Sequence, residues 1–512
     1  MGSSPLELTP LLVSRVKMRS SAVVIAALAQ SVLSAPDVKN FIYIVPDGYG
    51  PASQTMARDY VSLIENGQNP RAPVSIQLAA DKMVIGNVRT LASNNLITDS
   101  AASATAFGCG VKTYNNAIGV NPAGEPVGSI LEAAKLAGMK TGLVVTSTIN
   151  HATPACYAAH VADRNSYAKI AEHEIGYGHP LGPVADILLG GGRCYFKPQS
   201  DSTSCRRDGI DLFGFAAENG YHVMQNRSAF DALDKGLGDI RIPYIGLFND
   251  GQMMYEIDRS RQPEQEPSLL EMVETALNSL HRATHCKEEG YFLMIEASRI
   301  DHAGHANDPA AHLFDTIHYN EVMGFVREWI DEHPDTMLMS AADHECGGLT
   351  LNGFNPLPLS KVNASTEFLM GVWEEYTGSD KKAFLVSEIL PEYGLADATD
   401  AEVNTLLAAR SLDMELGNLL ASRAGVHWST GGHTASDITL YGYGAGENGR
   451  AIKADMAGNW DNTELPKYIE KALGVDMGEV TRLLRANGTA WVGKRDLNKR
   501  ADEHVHGHDH AH

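Results

Sequence analysis

The chain has 512 residues and 41 Lys and Arg against 63 Asp and Glu, a net charge of −22. That is ample length to bury a core, and too much negative charge for binding nucleic acid or an anionic membrane face. A phosphate-binding site in such a chain needs local positive charge from arginine, helix N-termini or metal ions, and 20 histidines make metal the first source to consider.

Arg15, Lys17 and Arg19 precede the apolar run Ser21 to Ala35, which ends in small residues before Pro36. The run is shorter than the roughly 20 apolar residues that span a bilayer and is broken by Gln30, so residues 1–35 read as a secretory signal peptide and no membrane span is expected. Either Met1 or Met18 serves as a start. The first strand is expected at Phe41 to Val45, and Asp47 in VPDGYG follows it, with a glycine that permits close backbone approach.

Ser100 in TDSAASATAFGCG heads an alanine-rich helix, where free N–H groups and the helix dipole favour a phosphate. A plain helix cap is the other role for a serine there. A second strand, Gly142 to Thr146, is followed by His151 and Thr153, and the segment between the first two strands carries the helical pattern SILEAAKLAGMK. Arg164 in HVADRNSY can fork two phosphate oxygens, or pair at the surface with Asp163. Cys194 and Cys205 flank a polar loop that a disulfide can close, while Cys109, Cys156, Cys286 and Cys346 are either paired or free thiols. Sequons at Asn226, Asn363 and Asn487 suit a glycosylated, secreted product.

A helix over LLEMVETALNSLHRATH leads to the third strand, Tyr291 to Ile295, after which come Glu296 and Asp301. Asp301 and His305, four apart, share one helix face, and His433 in GGHTASD completes a set of two imidazoles and a carboxylate with a position left open, as catalytic zinc requires. The fourth strand, Thr336 to Ser340, delivers Asp343 and His344, which with Asp47 make a second zinc set. Glu296, Thr153 and Asp47 form an all-oxygen set suited to magnesium. Singly each of these residues could be a turn former or cap, but polar ligands beyond all four strand ends indicate one site.

Strands alternating with helices predict an α/β fold: a three-layer α/β/α sandwich on a mostly parallel sheet. Residues 352–423 interrupt the rhythm with Gly, Pro and a sequon and read as an inserted lobe within a catalytic domain at 36–492. The tail 493–512, with two dibasic pairs and alternating histidines, reads as disordered and open to processing.

With VPDGYG, TDSAASATAFGCGVKT, HATPACYAAHVADR, EASRIDHAGH, ADHECGG and GGHTASD in order over about residues 39 to 445, the chain resembles the alkaline phosphatase family. The resemblance implies hydrolysis of phosphate monoesters through a phosphoserine on Ser100, with Arg164 as phosphate clamp. It implies one zinc on Asp301, His305 and His433, another on Asp47, Asp343 and His344, and magnesium on Asp47, Thr153 and Glu296. His151 and His302 stand where animal members also carry histidine and the best-known bacterial members carry Asp and Lys. They are expected to act through water, His151 on magnesium and His302 on phosphate. The resemblance further implies a homodimer with the lobe as its crown, and the secretory features suit a fungal-type enzyme, secreted or held in a vacuole-like lumen. A sulfatase would need a Cys/Ser-x-Pro-x-Arg signature that TDSAASATA lacks, and a diesterase would not need Arg164 or a third metal set.

Overall fold

The computed structural model describes residues 38–493. The expected signal peptide, and the expected tail but for its first residue, lie outside them. Among the described residues ten strands build one sheet: β1 (Asn40–Pro46), β2 (Val84–Arg89), β3 (Lys140–Thr148), β4 (Ile187–Gly191), β5 (His222–Met224), β6 (Tyr244–Leu247), β7 (Tyr291–Ala297), β8 (Thr336–Ser340), β9 (Ile438–Gly444) and β10 (Gly458–Asp461). Their order is β10-β2-β9-β8-β1-β7-β3-β4-β6-β5. Only β9 runs antiparallel to its neighbours, β2 and β8.

The four strands expected from sequence are β1, β3, β7 and β8, and they are contiguous at the centre. Every residue of β1, β7 and β8 is buried, so both faces of the sheet are covered, which is why their sequences are continuous apolar runs and why the architecture has three layers.

The helices that shape the site are α1 (Ser100–Cys109), α2 (Ile130–Leu136), α3 (Ala152–Ala158), α4 (Leu269–Thr284), α5 (Arg299–His305), α6 (Pro309–Glu332), α7 (Thr366–Glu375), α8 (Asp400–Ala408) and α9 (Leu412–Ala424). Ser268 caps α4 in a reciprocal capping box with Glu271. The helix expected through Lys140 ends at Leu136, because Gly138 turns the chain with φ of +88° into β3.

Residues 352–423 supply α7, α8 and most of α9. Leu369, Leu385, Ile389, Tyr393, Leu406, Leu416 and Leu420 form an apolar cluster that continues onto Ala303, Ala310 and Leu313 of α5 and α6. Asp308 fastens the lobe: Oδ1 accepts from the Tyr393 hydroxyl and Oδ2 from the Thr366 backbone N–H, each at 2.8 Å. Cys194 and Cys205 are disulfide-bonded, and Cys109, Cys156, Cys286 and Cys346 are free thiols. No helix among the described residues is long and apolar enough to cross a membrane.

Candidate active site

Register brings the strand ends level. Val45 and Val145 both stand beside Glu296, and Ile44 stands beside Ser340. Asp47 leaves β1, Glu296 is the penultimate residue of β7, Asp343 and His344 follow β8, and Thr153 lies in the first turn of α3, so the ligands expected from four separate motifs meet at the C-terminal edge. Asp301 and His305 arrive on α5, directly after β7. His305 Nε2 lies 3.2 Å from Asp301 Oδ2 and 3.1 Å from His433 Nε2.

Three groups of potential ligand atoms result: Asp301, His305, His433 and Cys346; Asp47, Asp343 and His344; and Asp47, His151 and Glu296. Their hydrogen bonding leaves metal-facing atoms open. Asp343 Oδ1 accepts from the backbone N–H groups of Gly48 and His344, whereas its Oδ2 makes no hydrogen bond. Glu296 Oε2 accepts from Ser147 Oγ while Oε1 makes none, and the same holds for both oxygens of Asp47, Asp301 Oδ1 and Thr153 Oγ1.

His305 Nδ1 donates to the Gly431 carbonyl at 2.6 Å and His433 Nδ1 to the Thr98 carbonyl at 3.0 Å, which turns each Nε2 lone pair inward, the arrangement that metal-binding histidines adopt. Buried open carboxylate oxygens are costly unless a cation compensates them. The donor sets fit that role: nitrogen with oxygen suits zinc, and the all-oxygen set of Asp47, Thr153 and Glu296 suits magnesium.

The electrostatics agree. Burial, reinforced by Asp343 and Asp301, drives the Asp47 carboxyl well above the usual carboxylate range, and burial pushes Glu296 up to about 7. Burial also opposes ionisation of Asp343, but His344 outweighs it and holds the carboxyl at about 2. Acids this close require neighbouring cationic charge if all are to ionise together.

Ser100 occupies the first turn of α1. Asp99 caps the helix, its Oδ1 accepting from the Ala102 N–H, and Ser100 Oγ lies 3.0 Å from His344 Nε2. The nucleophile candidate therefore touches a residue of the second metal set. Arg164 reaches the same edge, with Nη1 at 3.2 Å from Asp99 Oδ2 and Nη2 at 3.3 Å from His151 Nε2. The His302 ring packs edge-on to His151, 5.4 Å between centroids.

Three residues at the site escaped sequence reasoning. Cys346 stands two positions after His344 in ADHECGG, where the sequence left it either paired or a free thiol and gave it no place beside His305 and His433. Asp99 was not singled out in the sequence, where the cap reading fell on Ser100, yet it caps the helix and lies beside Arg164. Arg299, at the start of α5, donates from Nη1 to His302 Nδ1 at 2.8 Å, and nothing in its local pattern announced that. A further buried group, Glu132, His160 and His179, lies outside the site.

The alkaline phosphatase family profile matches residues 38–475. The repressible alkaline phosphatase of Saccharomyces cerevisiae is 39% identical over 482 residues, covering 87% of this chain and 83% of that protein. An alkaline phosphatase of Schizosaccharomyces pombe is 38% identical over 463 residues with the same coverage. Among solved structures, Thermus thermophilus alkaline phosphatase superposes with a TM-score of 0.71 at 29% identity, over 91% of this chain and 100% of that one.

Proposed function

The chain belongs to the alkaline phosphatase family, whose members hydrolyse phosphate monoesters with divalent cations, and from that premise we propose that it acts through a phosphoserine on Ser100, with two zinc ions and one magnesium ion. The observation that carries this reading is the 3.0 Å approach of Ser100 Oγ to His344 Nε2, at a helix N-terminus ringed by open ligand atoms. Asp301, His305 and His433 would hold one zinc, Asp47, Asp343 and His344 the other, and Asp47, Thr153 and Glu296 the magnesium, with His151 acting on it through water. When bound, these cations lower the pKa of a hydroxyl and stabilise charge on the attacking and leaving oxygens.

The protein's own groups define the rest of the reaction. Ser100 Oγ attacks phosphorus in line as its proton passes to solvent, and the P–O bond to the leaving group breaks, the departing oxygen taking a proton from water to leave as the alcohol while the phosphoryl group stays on the serine. Water entering on the vacated side then releases inorganic phosphate and restores the hydroxyl. The N–H groups at the start of α1 face the transferring oxygens. Arg164, steadied by Asp99, grips two of them in a fork that suits a terminal phosphoryl group rather than a diester. His302 meets the phosphate through water.

The lobe's exposed Phe368, Val386 and Leu407 support its role in a homodimer interface. Exposed Asn226, Asn363 and Asn487 and the Cys194–Cys205 bridge support a glycosylated enzyme of the secretory route, released or held in a vacuole-like lumen. The test is hydrolysis of p-nitrophenyl phosphate at alkaline pH by the parent and by Ser100→Ala, with metal content measured in both. Activity lost in the variant at equal metal content supports the reading, and a variant as active as the parent overturns it.

A further inference from the structure

Arg299 is buried, yet its guanidinium reaches two places that the sequence keeps far apart. Nη2 lies 2.7 Å from both carboxylate oxygens of Glu367, which the accessory lobe contributes from α7. Nη1 lies 2.8 Å from His302 Nδ1, and the guanidinium carbon sits 3.8 Å from the centroid of the Tyr255 ring. Arginine has no acceptor atom, so Nη1 donates and His302 Nδ1 accepts. Nδ1 then carries no proton, and the single ring proton is on Nε2. His302 is thereby fixed in both tautomer and orientation, beside His151 and the Arg164 that pairs with it.

We infer that Arg299 is a positioning residue that holds His302 as an Nε2–H donor for the phosphate site, and that Glu367 links the accessory lobe to that site by holding Arg299. This rests on the reading in which His302 meets substrate phosphate. Glu367 is more than half exposed while Arg299 is almost wholly enclosed, so the carboxylate can be altered with little packing cost and the guanidinium cannot. The link gives the lobe a direct part in phosphate binding.

The test is a double-mutant cycle read by the inhibition constant of inorganic phosphate, with KM and kcat for p-nitrophenyl phosphate and metal content alongside. Arg299→Met and His302→Ala should each weaken phosphate binding about 5- to 10-fold, the effect of one lost hydrogen bond, and the two variants should shift KM and kcat in the same directions as each other. The double variant should be no worse than His302→Ala alone. Glu367→Gln should weaken binding about 2- to 3-fold, and only when His302 is present.

Multiplying effects in the double variant, or unchanged phosphate inhibition in Arg299→Met, would overturn the positioning role. Unchanged inhibition in Glu367→Gln would overturn the link to the lobe. Should Arg299→Met fail to fold, the cycle of Glu367→Gln with His302→Ala makes the same comparison. A failure of the Ser100 mechanism would show separately, as turnover that survives Ser100→Ala.

Discussion

Gly48 lies so close to Asp301 that a Cβ at position 48 would fall 2.5 Å from the Asp301 Cα and 2.7 Å from its Oδ1. The backbone there also has φ of +72°, which side-chain-bearing residues seldom adopt. Two segments that carry candidate ligands, the loop after β1 and helix α5, can lie this close only because this residue has no side chain.

Replacing it tests that geometry. Gly48→Ala should displace Asp47 from Asp301, cost about 1–3 kcal/mol of stability from backbone strain and contact, and reduce activity at least about 10-fold. Metal analysis after dialysis should find less bound cation than in the parent. Full metal retention with normal turnover would show that the close approach is incidental.

The open oxygens of Asp47, Glu296, Asp301 and Asp343 predict a response to metal removal. Chelation leaves these acids facing one another in a buried space, so the melting temperature of the chelated protein should fall and return on adding zinc and magnesium. Each cation present at 100 times its Kd contributes about 2.7 kcal/mol. Scanning calorimetry with and without chelator measures the change.

Away from the site, Glu132 Oε1 lies 2.9 Å from His160 Nε2 and 3.2 Å from His179 Nε2, and all three side chains are buried. Burial opposes ionisation of Glu132, but His160 outweighs it and holds the carboxyl far below its ordinary 4.5. Burial likewise works against a charged His160, but Glu132 lifts it above its ordinary 6.5. The acid's contribution is present above 4.5 and lost as pH falls toward its depressed value, while the histidine's is full below 6.5 and lost as pH rises through its raised one. Glu132→Gln should therefore cost roughly 3 kcal/mol, most of all between those two values, with turnover per folded molecule unchanged. Denaturant titrations across pH provide the measurement.

Glu174 behaves oppositely. Both of its oxygens are buried without a hydrogen-bond partner, and burial pushes its carboxyl well above the ordinary 4.5. The folded protein keeps this proton where the unfolded chain has lost it, so stability is present below 4.5 and declines as pH rises through the elevated value. Glu174→Gln should unfold at higher denaturant than the parent at alkaline pH, with the gap closing in acid. Parallel curves at both pH values would contradict this.

The central strands were legible because they are buried on both faces and therefore uniformly apolar. Strand β2 was not: half of Val84 is exposed, and VIGNVR reads as neither a clean alternation nor an apolar run. Strand β9 carries two glycines that look like breakers, yet a Cβ at Gly442 would meet Ile85 at 2.5 Å and one at Gly444 would meet the Asn448 backbone at 2.9 Å. The clustering of the candidate site residues could be read because polar side chains recur just beyond all four strand ends, although singly each could be a turn former or cap. Arg299 and Glu367, 68 positions apart, could not, since only tertiary structure brings them together. Arg164 offered two readings, a phosphate fork or a pair with Asp163, and the structure adds a third contact the sequence did not suggest, Asp99 at 3.2 Å.

The most direct measurement is mass analysis of peptides from metal-loaded enzyme that has been incubated with inorganic phosphate or a phosphate monoester and quenched in acid. A single phosphoryl group on the peptide bearing Ser100, absent from Ser100→Ala, is the expected result. Turnover without any phosphorylated Ser100, or a phosphoryl group on another residue, would contradict the account.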